Sequence, residues 1–299
     1  MKTTVELNEI IENSPDLILY ASPLLIGLAV LEIVLSAKEN KHLYEKKDFF
    51  ASLTIGLGYL GQGILLKSGF LFLILWIYNS IPWSIPVNWG TTILCYILLD
   101  FLRYWEHKLS HEINFLWAIH VTHHNSTKFN FSTAFRQSWI QWFKIVFFLP
   151  ISLLGFHPVV FFISHQIEGL YSFCCHTKMI KKLPRWYSYI FVTPSHHRVH
   201  HARNRKYLDK NYGSTFIIWD RIFNSFQEEE EEPEYGILDQ PKTYNPVFLV
   251  FHVWIDIFKK IGSARSFKEV FEILFKPPGE MKKANYTPQR NSKLSTKIE

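Results

Sequence analysis

Eight of the fourteen histidines in this 299-residue chain fall into three short boxes. The first is His107-Lys-Leu-Ser-His111, the second His120-Val-Thr-His123-His124, and the third His197-Arg-Val-His200-His201, with His196 just before it. The spacings are i,i+4, then i,i+3,i+4 twice, so on helices each box gathers its rings on one face. Eight imidazoles are more than one ion needs. They suit two metal ions, each with three or more nitrogen ligands and positions left open. By ligand type alone, iron, copper and zinc all fit. The chain has no HExxH and no CxxC, which disfavours a zincin and a zinc ribbon. His176 directly follows an apolar hairpin and is expected on the same side as the boxes, as a ninth ligand. His196 is a further candidate and His165 a weaker one, whereas His42, His157 and His252 stand apart and read as packing or surface residues.

Ligating histidines need partners for their second ring nitrogen. Asp100, Glu106, Glu112, Asp209, Asn211 and Asp220 lie close enough in sequence to the boxes to serve.

The elements that must carry the boxes are apolar and long. Hydrophobic residues make up 48% of the chain and aromatic residues 17%, against 19% charged and a net charge of +6. This excludes a disordered chain and an acidic soluble protein. Three cysteines, two of them adjacent in an apolar run, provide no disulfide framework. Leu17 to Leu35 is a nineteen-residue run with one acid, Glu32, about the length that spans a hydrocarbon core. Phe49 to Tyr78 reads as one tilted span or a broken pair, and Trp89 to Trp105 as another. Trp139 to Phe156 and Pro158 to Cys175 read as a hairpin turned at Gly155 and His157-Pro158. The polar, acidic N-terminus lacks the basic start of a signal peptide, so the first span is expected to be retained. Lys38, Lys41, Lys46 and Lys47 follow that span, which puts their loop in the cytosol and, counting spans, every box on the cytosolic side. Glu228 to Glu232 reads as a solvated turn, Tyr244 to Ile261 as an interfacial helix, and Lys276 to Glu299 as a flexible basic tail. Nothing supports a nucleic-acid partner.

Three strings carry a family resemblance: Asp100 to Asn114 (DFLRYWEHKLSHEIN), Trp117 to Ser138 (WAIHVTHHNSTKFNFSTAFRQS) and Thr193 to Asp220 (TPSHHRVHHARNRKYLDKNYGSTFIIWD). Together they resemble the fatty acid hydroxylase / sterol desaturase superfamily of membrane di-iron oxygenases, closest to its alkylglycerol monooxygenase branch. The resemblance covers roughly residues 90 to 260. Lys108, Asn125 and Asn224 depart from the residues usual there. The resemblance implies an all-α, polytopic transmembrane bundle with a cytosolic, histidine-rich di-iron cap. It implies two irons per chain, O2 and a membrane lipid as substrates, and an external electron donor, either tetrahydrobiopterin or a ferredoxin- or cytochrome b5-like protein. It also brings Asn130, Arg136 and Gln137 near the site. The expected organisation is transmembrane segments over 1–87, a catalytic domain over 88–226, and an acidic linker, interfacial helix and tail over 227–299. Cleavage of an alkylglycerol ether to a fatty aldehyde is the expected activity. Hydroxylation or desaturation of a sterol, carotenoid or amino-acid lipid is the runner-up, and a metal transporter is the alternative from another class.

Overall fold

The computed structural model describes residues 4–278, so the expected tail lies almost wholly outside the described residues. The fold is all-helical. The α-helices are α1 (Leu7–Asn13), α2 (Leu17–Lys38), α3 (Lys46–Ser80), α4 (Trp89–Glu112), α5 (Asn114–His124), α6 (Leu149–Leu153), α7 (Pro158–Cys174), α8 (Arg185–Ile190), α9 (Pro194–His200), α10 (Ile218–Ile222), α11 (Pro246–Ser263) and α12 (Phe267–Phe275). Two 3-10 segments, Phe131–Phe135 and Gln141–Phe148, lie between α5 and α6. Among the described residues, β-pairing is limited to two isolated bridges, Phe191 with Phe216 and Ala202 with Tyr235.

Most of the apolar runs form long helices, and the first buries little of itself. Asp16 caps the start of α2 by accepting from the Leu19 amide, and α2 then exposes Leu19, Leu24, Ile26, Leu31 and Val34. Among the described residues, Leu7–Lys38 is the one helical stretch long and apolar enough to cross a membrane. The second run is a single helix, not a broken pair: α3 has 35 residues and is about 52 Å long. The first leg of the expected hairpin differs. Trp139 to Phe156 holds the 3-10 segment and the five-residue α6 in place of a single long helix. Gly155, at φ +92°, supplies the left-handed turn there. The Trp83 loop docks on that turn, Trp83 Nε1 donating to Leu153 O and the Ile85 amide to Gly155 O.

α4 links the apolar region to the site. An Asn88–Thr91 capping box starts it. Its first turns expose Trp89, Ile93 and Leu94, and from Leu99 onward it buries Leu99, Tyr104, Glu106 and His107. Behind the second box, α11 packs on α3 through Leu249 and Val250 against Ala51 and Ile55. It also packs on α5, where Ile257 and Ile273 enclose Ala118. The expected interfacial helix therefore buries one face on the protein while exposing Val247, Phe248 and Phe258 on another. α12, unanticipated in the sequence, completes the cover: Asn114 Nδ2 donates to Ile273 O at 2.8 Å.

The glutamate run is largely exposed, as expected, and it is also paired. Glu229 takes a two-pronged contact from Arg198 at 2.8 and 2.7 Å and another from Ser195. Glu230 pairs with Lys206 and Glu232 with Lys178. The run clasps the helix that carries the third box.

Candidate metal centre

The nine histidines divide into two clusters. His107, His111, His120, His124 and His200 form one, and His123, His176, His197 and His201 the other, with the potential ligand atoms of each within 4.8 Å of one another. The boxes do not map one to one onto the clusters. On α5, His120 and His124 are four residues apart and enter the five-histidine cluster, while His123, about 100° round the helix from His124, enters the other. In the third box His197 and His201 enter the four-histidine cluster and His200 the five-histidine one. The clusters abut, the His124 and His201 rings lying 4.4 Å apart, nearly parallel at 21°.

Hydrogen bonding fixes the proton on several rings. His107 Nδ1 lies 2.8 Å from Tyr212 O, His200 Nδ1 3.0 Å from Lys210 O, and His176 Nδ1 2.8 Å from Ser172 O. A carbonyl only accepts, so each Nδ1 donates and each Nε2 presents a bare lone pair. Nε2 of His107, His111 and His200, and Nδ1 of His123, are buried without a hydrogen-bond partner. In the second cluster His176 Nε2 meets His197 Nε2 at 2.9 Å and His123 Nε2 at 3.2 Å, and His201 Nε2 meets His197 Nε2 at 3.1 Å. With metal–nitrogen bonds of about 2.1 Å, two ligands at right angles stand about 3 Å apart. Converging lone pairs at that spacing fit a cation between them. Burial, with neighbouring imidazoles adding to it, holds His107, His120, His123, His124, His197, His200 and His201 well below the ordinary histidine pKa. Burial likewise lowers His176 to about 4. Neutral imidazole is the ligating form.

The expected supporting residues divide. Asp209 lies 3.6 Å from His111 Nδ1 and is the acid beside a cluster histidine. Asp220 acts one step back: it accepts from the amides of Tyr212 and Gly213 at 2.7 Å, fixing the loop whose carbonyl receives the His107 proton. Asp100 instead accepts from the amides of Thr215 and Phe216 and from Trp219 Nε1. Glu112 pairs with Lys108 on the same helix. Asn130 caps the first 3-10 segment and donates to Leu43 O. Asn211 joins the His196 carbonyl to Gln227. Arg136 is fully buried on Asp48, Ser52 and Asn125, and Gln137 donates to Ala134 O. His196 stays outside both clusters, capping α9 with Thr193, and His165 contacts Arg103. Glu106 sits between Arg103 and Lys144, and Lys144 Nζ also lies 3.3 Å from His120 Nδ1. Sequence reading missed Lys144 and the three carbonyl acceptors. A lone lysine in the apolar 139–156 run was the available signal for the first, and backbone oxygens carry none.

Comparison with known proteins agrees with this site. Residues 92–225, which hold all nine clustered histidines, match the fatty acid hydroxylase family. The chain is 35% identical over 286 residues to human alkylglycerol monooxygenase, covering 93% of this chain and 63% of that protein. It is 33% identical over 275 residues to the Xenopus tropicalis alkylglycerol monooxygenase, covering 90% and 60%. It is 29% identical over 161 residues to ornithine lipid hydroxylase OlsE of Rhizobium tropici, covering 50% and 46%. The chain thus spans less than two thirds of the length of these relatives. No solved structure matches. The segment 92–225, with every clustered histidine inside it, is thus similar to the fatty acid hydroxylase family, and most of the chain is similar to proteins named alkylglycerol monooxygenase.

Proposed function

We propose that this protein is a membrane-bound di-iron monooxygenase that hydroxylates a lipid, most specifically the carbon next to the ether oxygen of an alkylglycerol. The observation that carries the reading is the pair of histidine clusters, whose bare, buried nitrogens converge at ligand spacing within the family segment. His107, His111, His120, His124 and His200 would hold one iron, and His123, His176, His197 and His201 the other. Bound there, two irons would supply activation of O2 and attack on an unactivated C–H bond. The chain's own part is to keep imidazoles neutral, fix their orientation through Tyr212, Lys210 and Ser172 carbonyls, and bury the centre. Hydroxylation at the ether carbon yields a hemiacetal, which collapses to a fatty aldehyde and a glycerol derivative.

The catalytic domain is taken as 88–226, between N-terminal membrane segments over 1–87 and a C-terminal part over 227–299. The apolar segments cross the bilayer several times, with the lysine-rich loop and the clusters on the cytosolic side. Electrons come from an external donor, a tetrahydropterin in the first instance. Similarity to an ornithine lipid hydroxylase favours one second reading, hydroxylation of an amino-acid lipid.

The test supplies purified protein in detergent with O2, reduced pterin and an alkylglycerol. Fatty aldehyde should form, and iron should approach about two per chain. Oxidation of ornithine lipid with the ether lipid untouched would select the second reading. A protein that purifies with zinc alone, and stays inactive after iron loading, would defeat both.

A further inference from the structure

Glu32 is the one acid in the apolar run of α2, and it is 2% exposed. A carboxylate at such a depth is costly and is kept only with partners. It has three, from three different segments. It accepts from the Tyr44 hydroxyl beyond the end of α2, from the Phe131 amide at the start of the first 3-10 segment, and from the Thr177 hydroxyl. Two of these segments enclose His176. Thr177 follows it directly, and Phe129, two residues before Phe131, stacks on its ring at 5.7 Å and 24°. His176 is the member of the four-histidine cluster that comes from outside the boxes, and its Nε2 faces both His123 and His197.

We propose that Glu32 is a positioning residue for the four-histidine cluster. By fastening Thr177 and the Phe131 amide to α2, it holds the His176 ring against Phe129 and aims Nε2 at the centre. The five-histidine cluster is built on α4, α5 and α9, and none of the three Glu32 hydrogen bonds reaches those helices. The first apolar helix thereby sets one of the two metal sites. This rests on the metal-centre reading above, but it concerns only one cluster, and that makes it separately testable.

The experiment uses the full chain in detergent with cobalt(II), read by its ligand-field absorption under competition from a chelator. Two parents isolate the clusters: His107→Ala with His111→Ala leaves the four-histidine cluster, and His197→Ala with His201→Ala leaves the other. Glu32→Leu should weaken cobalt binding about 10–100-fold in the first parent and leave the second unchanged. Glu32→Gln, which keeps one carbonyl acceptor, should fall between. Should Glu32→Leu fail to fold, Thr177→Val removes a single hydroxyl at nearly constant volume and should show a smaller loss of the same selectivity. Equal losses in both parents would reveal general destabilisation and overturn the proposal, as would no loss in either. Failure of both parents to bind cobalt would defeat the metal-centre reading itself, and the role of Glu32 with it.

Discussion

Replacing Gly213 with alanine tests whether the carbonyl behind His107 matters. A Cβ at this position would lie 2.6 Å from Phe216 O, 2.9 Å from Asp220 Oδ2 and 3.1 Å from Val192 Cγ2. Ordinary contact begins near 3.4 Å, so the Phe216 carbonyl would have to retreat by about 3.4 − 2.6 = 0.8 Å. It has little freedom to do so. The Phe216 amide donates to Asp100, and the Ile217 amide to Ile190 O at 3.0 Å. Asp220 is equally restrained, since its two oxygens accept from Tyr212, Gly213 and Ser225 at 2.6–2.7 Å. Overpacking of this kind costs about 1–3 kcal/mol. Relief falls on the Tyr212–Gly213 loop, which carries the oxygen that accepts the His107 proton. Disturbing such a partner typically lowers metal affinity roughly 10–100-fold. Iron per chain after a graded chelator challenge, measured beside the thermal midpoint, should show both effects. A variant that keeps wild-type iron and wild-type stability would refute the argument that this loop orients the ligand.

His123→Ala, His124→Ala or His200→Ala should each lower lipid turnover by at least about 100-fold, measured as aldehyde formation; His42→Ala and His252→Ala, outside both clusters, should retain most of it. With Cys95, Cys174 and Cys175 removed, single cysteines at the exposed positions Glu12 and Arg205 should react with an impermeant thiol reagent from opposite faces of sealed vesicles, and reaction from one face at both would break the proposed topology. The Arg198–Glu229 clasp should fail in acid. Burial raises the Glu229 carboxyl, but the Arg198 and Ser195 hydrogen bonds outweigh it and hold the group below its ordinary value of 4.5. A depressed native pKa gives stability that is present above the unfolded value and lost as pH falls through the native one. Glu229→Gln should therefore flatten the pH dependence of the thermal midpoint below about pH 4.5, and an unaltered profile would show that the clasp contributes nothing.

The sequence disclosed which histidines gather better than how they are divided. Helical spacing grouped His120 with His124 and His197 with His201, and the apolar hairpin returned His176 beside them. The same spacing made each box look like one unit. The division appears only when α5 and α9 face each other, because neighbours on a helix diverge by about 100°. Asp100 and Glu112 looked as suitable as Asp209, since sequence distance says nothing of which backbone amides lie nearer than an imidazole. Glu229 was hidden among four identical neighbours, and the Arg198 that selects it lies 31 residues away. Apolar length was legible for α2 and α3, and so was the turn at Gly155, but nothing in the apolar pattern of 139–156 distinguished the 3-10 winding of Gln141–Phe148 from a continuous helix.

The split of neighbouring histidines links the fates of the two clusters. His123 and His124 are joined by one peptide bond, as are His200 and His201, and each pair serves both clusters. Among the described residues, neither cluster includes a carboxylate, so the distance between centres is set by the rise and turn of two helices, about 1.5 Å and 100° per residue. A slide or roll of α5 that improved one centre would disturb the other by a comparable amount. One residue inserted between His120 and His123 would take donors from both at once. Neither cluster could be moved through these two helices while the other stayed in place, so substitutions that retune one cluster alone are confined to groups around its own rings, leaving the register of the two helices fixed.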